Sequence, residues 1–372
     1  MRIVEIAPPW FPIPPSGYGG IERVVFDLVE GLIAEGHEVV LFAPPGSRTS
    51  AQLVSNVDRP LGLDLTETEK RRHLYEVGRH GYRLAMQLGA DLVHDHTDVA
   101  PPDDYPLPVL HTIHGPATPA AVAAYRAMSL RGDRFLAISH RQRALFTASS
   151  GGTIAFSGVV HNPVDVAGTP FYSRDMKEPY AAFVGRCHWE KDPAAAIRVA
   201  REAGVPLKLA LRVTVEERPY FEAAVRPLIE ASRGLVEYVG EVGGHEKAEL
   251  IGRAGTVLFP SPWEEPFGLV LAEAAAHGTP VVALRRGSVP EVVVNGETGF
   301  ACADEAAMAA VLREAMALDP AVCRDHAMAC FDRSVIARRH AELFGRLAAG
   351  RSGEPAAAID GANHHVVPVP VA

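Results

Sequence analysis

Three glutamates stand where an apolar helix should need none. The stretch Thr256–Ala283, TVLFPSPWEEPFGLVLAEAAAHGTPVVA, reads as strand, sharp loop, helix and strand. Pro260 and Pro262 stop the first apolar run, good helix formers extend from Gly268 to Ala276, and Gly278 and Pro280 precede the second run. Glu264 and Glu265 flank the helix and Glu273 enters it, although its other residues are almost all apolar and would be buried on most sides. A carboxylate in such a helix requires a partner. The amides of Phe267, Gly268 and Leu269, without intrahelical acceptors, fall between Glu265 and Glu273 and offer an anion site. Carboxylates for hydroxyls beside amides for phosphate suit a nucleotide sugar. The plainer alternative is a helix-start carboxylate near the dipole and a surface glutamate on an amphipathic helix.

Other residues of chemical interest cluster after short apolar runs. GRCHWEKDP follows the run Tyr180–Val184 and carries Arg186 and Lys191, two cations on one loop that could neutralise a diphosphate leaving group or simply pair with Glu190 and Asp192. HTIHG ends the run Val109–Ile113 and places His114 before Gly115 and Pro116, where a histidine can bond a sugar hydroxyl or orient an acceptor; His111 lies mid-strand and reads as core. HDHTD, with His94, Asp95, His96 and Asp98, suggests a metal site, but strand alternation turns Asp95 away from the face shared by the two histidines.

Glu265 and Glu273, separated by seven residues, resemble the donor-site signature of the retaining family-4 glycosyltransferases of the GT-B fold. The resemblance implies that Glu265 contacts hydroxyls of the donor sugar, Glu273 those of the ribose, and the Phe267–Leu269 amides the diphosphate. Arg186 and Lys191 match the family's phosphate clamp, and GGIE, with Gly19 and Gly20, resembles its glycine-rich loop approaching the donor diphosphate and the acceptor. GYGGIE does not fit a dinucleotide fingerprint, because the preceding strand ends about ten residues too early for its tight turn. His114 matches the family histidine near the anomeric carbon, and the same resemblance turns His96 toward the interdomain cleft. HNPVD, with Pro163 where glycine is common, is similar to the turn between the domains, and Ser288–Phe300 resembles a structural stretch with a turn at Asn295-Gly296. The implied activity is retaining, metal-independent sugar transfer from a nucleotide-diphosphate sugar to an unknown acceptor, with no cofactor. The departing phosphate accepts the acceptor's proton. Rival readings are a sugar-nucleotide epimerase or hydrolase of the same fold, and a silent nucleotide-sugar-binding protein.

These residues need two α/β domains to position them. A chain of 372 residues exceeds one hydrophobic core, and apolar runs alternate with helical periodicity in both halves. The expected division is a Rossmann-like acceptor domain over 1–167, a linker over 168–179 and a Rossmann-like donor domain over 180–333. The resemblance implies that a helix over 334–350 crosses back to the first domain, and a disordered tail is expected over 351–372. Helix signals include Ile21 to Gly36, a capping box at Thr66 and Glu69, and one helix near Arg218–Ala231. With 48% hydrophobic residues and a net charge of −9, the chain reads as globular and not as a nucleic-acid binder. Four cysteines without a CxxC pair fit a reducing cytosol, and no apolar run has the length of a signal peptide or membrane span. Lys70, Arg71, Arg72, Arg79 and Arg83 form either a solvated face, diluted by Glu67, Glu69 and Glu76, or a peripheral contact with anionic lipid. Oligomeric state is not encoded in any of these patterns.

Overall fold

A computed structural model describes residues 1–350; the expected tail lies outside the described residues. The first sheet contains β1 (Arg2–Ile6), β2 (Glu38–Ala43), β3 (Gln52–Ser55), β4 (Leu92–Asp95), β5 (Val109–Ile113), β6 (Arg134–Ala137) and β7 (Phe156–Val159), in the order β3-β2-β1-β4-β5-β6-β7. The second contains β8 (Glu178–Arg186), β9 (Leu207–Arg212), β10 (Val236–Gly240), β11 (Ala254–Phe259), β12 (Val281–Leu284) and β13 (Gly299–Cys302), in the order β10-β9-β8-β11-β12-β13. Every pairing is parallel. Helical crossovers cover both faces, so the central strands are buried on both sides and mostly apolar, with Glu5, His94, Asp95, His111 and Thr112 as buried polar exceptions in the first sheet. Strand order reverses between β1 and β4 and between β8 and β11. Ligands of such sheets lie beyond the carboxyl ends of the strands at these points.

Two helices lock the first sheet. The helix Gly20–Ala34 buries Val24, Val25, Leu28 and Leu32, and the helix Arg333–Ala348, started by the Asp332 carboxylate accepting from the Ser334 amide, packs along it. Their approach is close at Gly31, where a Cβ would sit 2.8 Å from that of Ala337. This contact carries the last described helix onto β4 of the first domain. The Thr66–Glu69 capping box forms with both reciprocal bonds.

Local differences from the sequence reading have local causes. The helix expected near Arg218–Ala231 is a helical turn (Arg218–Tyr220), a π turn (Phe221–Val225) and a second helix (Arg226–Glu230). Pro219 and Pro227 supply no amide, and the ladder widens between them. The linker yields Glu178 and Pro179 to β8; Pro179 is tolerated there because pairing with β9 begins only at Ala181. The short β3 and β13 and the helix Pro320–Cys330 carry too little periodicity to be read locally.

Candidate active site

The two carboxyl edges face each other across a cavity of about 730 Å³, lined by both domains. Its second-domain wall begins at the helix Leu269–Ala276. Gly268, at φ 74°, starts that helix in a conformation that favours glycine; among the described residues no side chain caps the helix start, and Phe267 to Val270 line the cavity. Glu265 is held just before it. Gly287 presses so closely on the Glu265 backbone that a Cβ would fall 2.3 Å from the Glu265 amide nitrogen. The Glu265 carboxylate accepts from Trp263 Nε1 at 2.8 Å and from Lys191 Nζ.

Each glutamate therefore has its own lysine. Lys247 donates to both oxygens of Glu273 at 2.7 and 2.6 Å. Arg186, the last residue of β8, meets Glu190 at 3.1 Å and Glu217 at 3.6 Å. Arg212 ends β9 and reaches the same cavity, where its guanidinium stacks 4.6 Å from the ring centre of Tyr18 on the glycine loop. Cations, carboxylates and helix-start amides thus converge on one space, a set that can hold a polyhydroxylated anion. Phe267, Leu269, Gly19 and Gly20 line it as well, Gly19 and Gly20 at the start of the first-domain helix.

The first-domain wall contains His114, one residue beyond β5. His96 does not face the cleft. Its side chain is 1% exposed, and its Nδ1 lies 2.8 Å from His114 Nε2, so it reaches the cavity only through that ring. Register explains this. Glu5 of β1 pairs with His94 of β4, and alternation puts Glu5, His94, His96, Thr112 and His114 on one face, covered by His340 and Phe344 of the last described helix. Burial alone would raise the Glu5 carboxyl, but His94 and His96 hold it down at about 2. Burial lowers His96, and lowers His114 well below the usual range with help from His96 and His94. Asp95 points to the opposite face, toward Tyr82 and Thr97, as alternation requires.

The donor atoms of Glu5, His94 and His96 lie within 4.8 Å of one another, close enough for one cation. Each is already hydrogen-bonded to a protein group. His111 is fully buried core, and among the described residues neither of its ring nitrogens has a hydrogen-bond partner.

Several groups escaped the sequence reading. Glu5 had a signal: a charge in the apolar strand RIVEI needs a partner. Glu22, of the GGIE stretch, and Asp27 line the cavity from the first domain, and burial raises each carboxyl to about 7. Lys247 and Arg212 had no such signal, being ordinary cations near element ends. Glu291, in the stretch read as structural, crosses to the first domain and accepts from the His140 and Arg141 amides at 2.8 and 2.7 Å, while His161 lies 3.1 Å away. It thereby caps the helix His140–Ser150 from the other domain.

Comparisons with known proteins agree with this architecture. The family described as Glycosyltransferase Family 4 matches residues 18–167, and the one described as Glycosyl transferases group 1 matches residues 170–324. The glycogen synthase of Mycobacterium tuberculosis (strain CDC 1551 / Oshkosh) is 30% identical over 400 aligned residues, covering 92% of this chain and 94% of the relative. Among solved structures, AviGT4, a glycosyltransferase involved in avilamycin A biosynthesis, is 28% identical with a TM-score of 0.68, covering 94% of this chain and 98% of its own. An Anabaena protein solved with UDP and glucose shares the fold at 17% identity and a TM-score of 0.68, covering 93% of this chain and 99% of its own. With two facing Rossmann-like domains, a family match on each and a relative aligned over nearly its full length, the chain belongs to the family-4 glycosyltransferases of the GT-B fold.

Proposed function

We propose that this glycosyltransferase takes its sugar from a nucleoside diphosphate sugar, transfers it with retention of configuration and requires no bound metal. The observation that carries the reading is the bracketing of the open helix start at Gly268 by two lysine-paired glutamates. Arg186, Lys191 and the amides of Phe267 to Leu269 receive the diphosphate, so positive charge is already in place where the leaving group develops its own negative charge. Glu265 takes hydroxyls of the donor sugar and Glu273 those of the ribose. From the facing wall, His114 meets a hydroxyl of the sugar or of the acceptor, while Gly19 and Gly20 let the backbone come close to the phosphates.

Retention follows from front-face departure, in which the leaving phosphate takes the acceptor's proton. With Glu265 and Glu273 both engaged by donor hydroxyls, neither is assigned the part of a covalent nucleophile. The bound UDP and glucose of the Anabaena structure support a nucleotide donor of this class. Acceptor choice resides in first-domain loops, and the names of the relatives, from glycogen synthase to D-inositol 3-phosphate glycosyltransferase, span polymers and small phosphates. We place the reaction in the cytosol. Exposed Arg72, Tyr75, Arg79 and Arg83 give the helix Glu67–Leu88 a basic face for peripheral contact with anionic lipid. Among the described residues no helix is long and apolar enough to cross a membrane.

A panel of UDP-, GDP-, ADP- and TDP-sugars, scored by thermal shift and then by nucleoside diphosphate release in chelator, tests the reading. Selective binding with release only on addition of an acceptor supports it. Release without acceptor indicates a hydrolase, and no shift with any nucleotide overturns the pocket.

A further inference from the structure

The buried row behind His114 has a definite sense of hydrogen bonding. The Glu5 carboxylate only accepts, and both His94 Nδ1 and His96 Nε2 lie 2.9 Å from its Oε2, so both nitrogens carry a hydrogen. Burial keeps His96 neutral, which leaves its Nδ1 bare. That bare nitrogen is 2.8 Å from His114 Nε2, which must donate to it. A neutral His114 protonated at Nε2 is bare at Nδ1. Among the described residues no protein group bonds this Nδ1, and it is not sealed from the cavity.

We infer that Glu5 and His96 are positioning residues that fix the tautomer of His114, so that the ring meets its substrate as a hydrogen-bond acceptor. The inference rests on the reading of His114 as a substrate-facing residue and deepens it. The group His114 meets must then be a donor, a hydroxyl of the sugar or acceptor, and not a phosphate or carboxylate oxygen. Thr112 extends the row on the far side: its hydroxyl lies 2.7 Å from His94 Nε2, which fixes the end of the chain away from the cavity.

The test is imidazole ¹⁵N NMR of the full chain without substrate, with His114 and His96 assigned from H114Q and H96Q. The expected spectrum shows both rings neutral and protonated at Nε2. A His114 ring protonated at Nδ1, or charged at neutral pH, overturns the inference whatever the fate of the donor assignment. In E5Q the new amide can donate to His96 Nε2, which reverses the row and turns an N–H of His114 toward the cavity. The expected kinetic effect is a fall in kcat of about tenfold to a hundredfold, with the donor KM held within about twofold. An unchanged tautomer in folded E5Q overturns the inference, as does one equivalent of metal retained by the wild type and lost in E5Q. If E5Q does not fold, the wild-type spectrum still decides. Correct tautomers in a protein inactive toward every nucleotide sugar would overturn the functional reading alone.

Discussion

The two walls of the cavity solve the same problem, holding polar groups where water is scarce, in opposite ways. On the second-domain wall the two glutamates that bracket the helix start each meet a cation directly, Lys191 with Glu265 and Lys247 with Glu273, and Arg186 meets Glu190 and Glu217 behind them. These pairs are part-exposed and can exchange a protein partner for a ligand. On the first-domain wall one carboxylate, Glu5, supports a row of histidines drawn from neighbouring strands, and only the last ring touches the cavity. Pairs with access to solvent can bind charge. A sealed row can only orient.

The largest effect should come from disturbing the exchangeable pairs. Lys191→Ala and Glu265→Gln are each expected to lower kcat about a thousandfold, with little change in thermal midpoint, since each removes a group aimed at the reacting region. Near-wild-type turnover in either folded variant would end the contrast by making the second wall structural. The sealed row should instead govern acid stability. Glu5 falls from an ordinary 4.5 to about 2 on folding, so its contribution, on the order of 3 kcal/mol, is present above about pH 4.5 and lost as pH drops toward 2. Glu22 and Asp27 act in the opposite sense: their raised carboxyls favour the folded state when protonated, and that share is lost as pH rises from about 4 to 7. Chemical denaturation across pH 2–8 should show the acid-side loss in the wild type and not in E5Q.

The grip between the walls should be weaker. Glu291→Gln keeps the side-chain shape but replaces charge-assisted bonds to the His140 and Arg141 amides, and a loss of about 2 kcal/mol in urea unfolding is expected. An unchanged midpoint would show that the domains do not hold each other through this helix end. Smallest is the half-exposed pair of Arg141 with Glu264, at 2.8 and 2.9 Å. Its double-mutant cycle should give less than about 1 kcal/mol, falling further with salt.

Legibility in the sequence divided along the same line as the two walls. The stretch Gly255–Phe300 and the loop carrying Arg186 and Lys191 could be read because a strand, a tight loop and a helix start place their residues by local geometry alone. The sealed row could not be read. His94 and His96 share a face by alternation, which the sequence shows, but Glu5 lies 89 residues before His94 and joins it only through the register of β1 with β4. For the same reason the resemblance turned His96 toward the cleft: its strand-end position is local, while its burial behind His114, 18 residues further on, depends on the register of neighbouring strands.

Two parallel α/β domains were already written in the sequence, because short continuous apolar runs alternating with helical stripes admit few other arrangements. So was the bracketed helix start, because seven residues and a glycine suffice to build it. Which cation meets which carboxylate, that Glu291 reaches across to the first domain, and that His114 is the visible end of a buried row came from the folded molecule alone. Those contacts join residues far apart in the chain, and strand register and domain docking, which no short stretch encodes, set their distances.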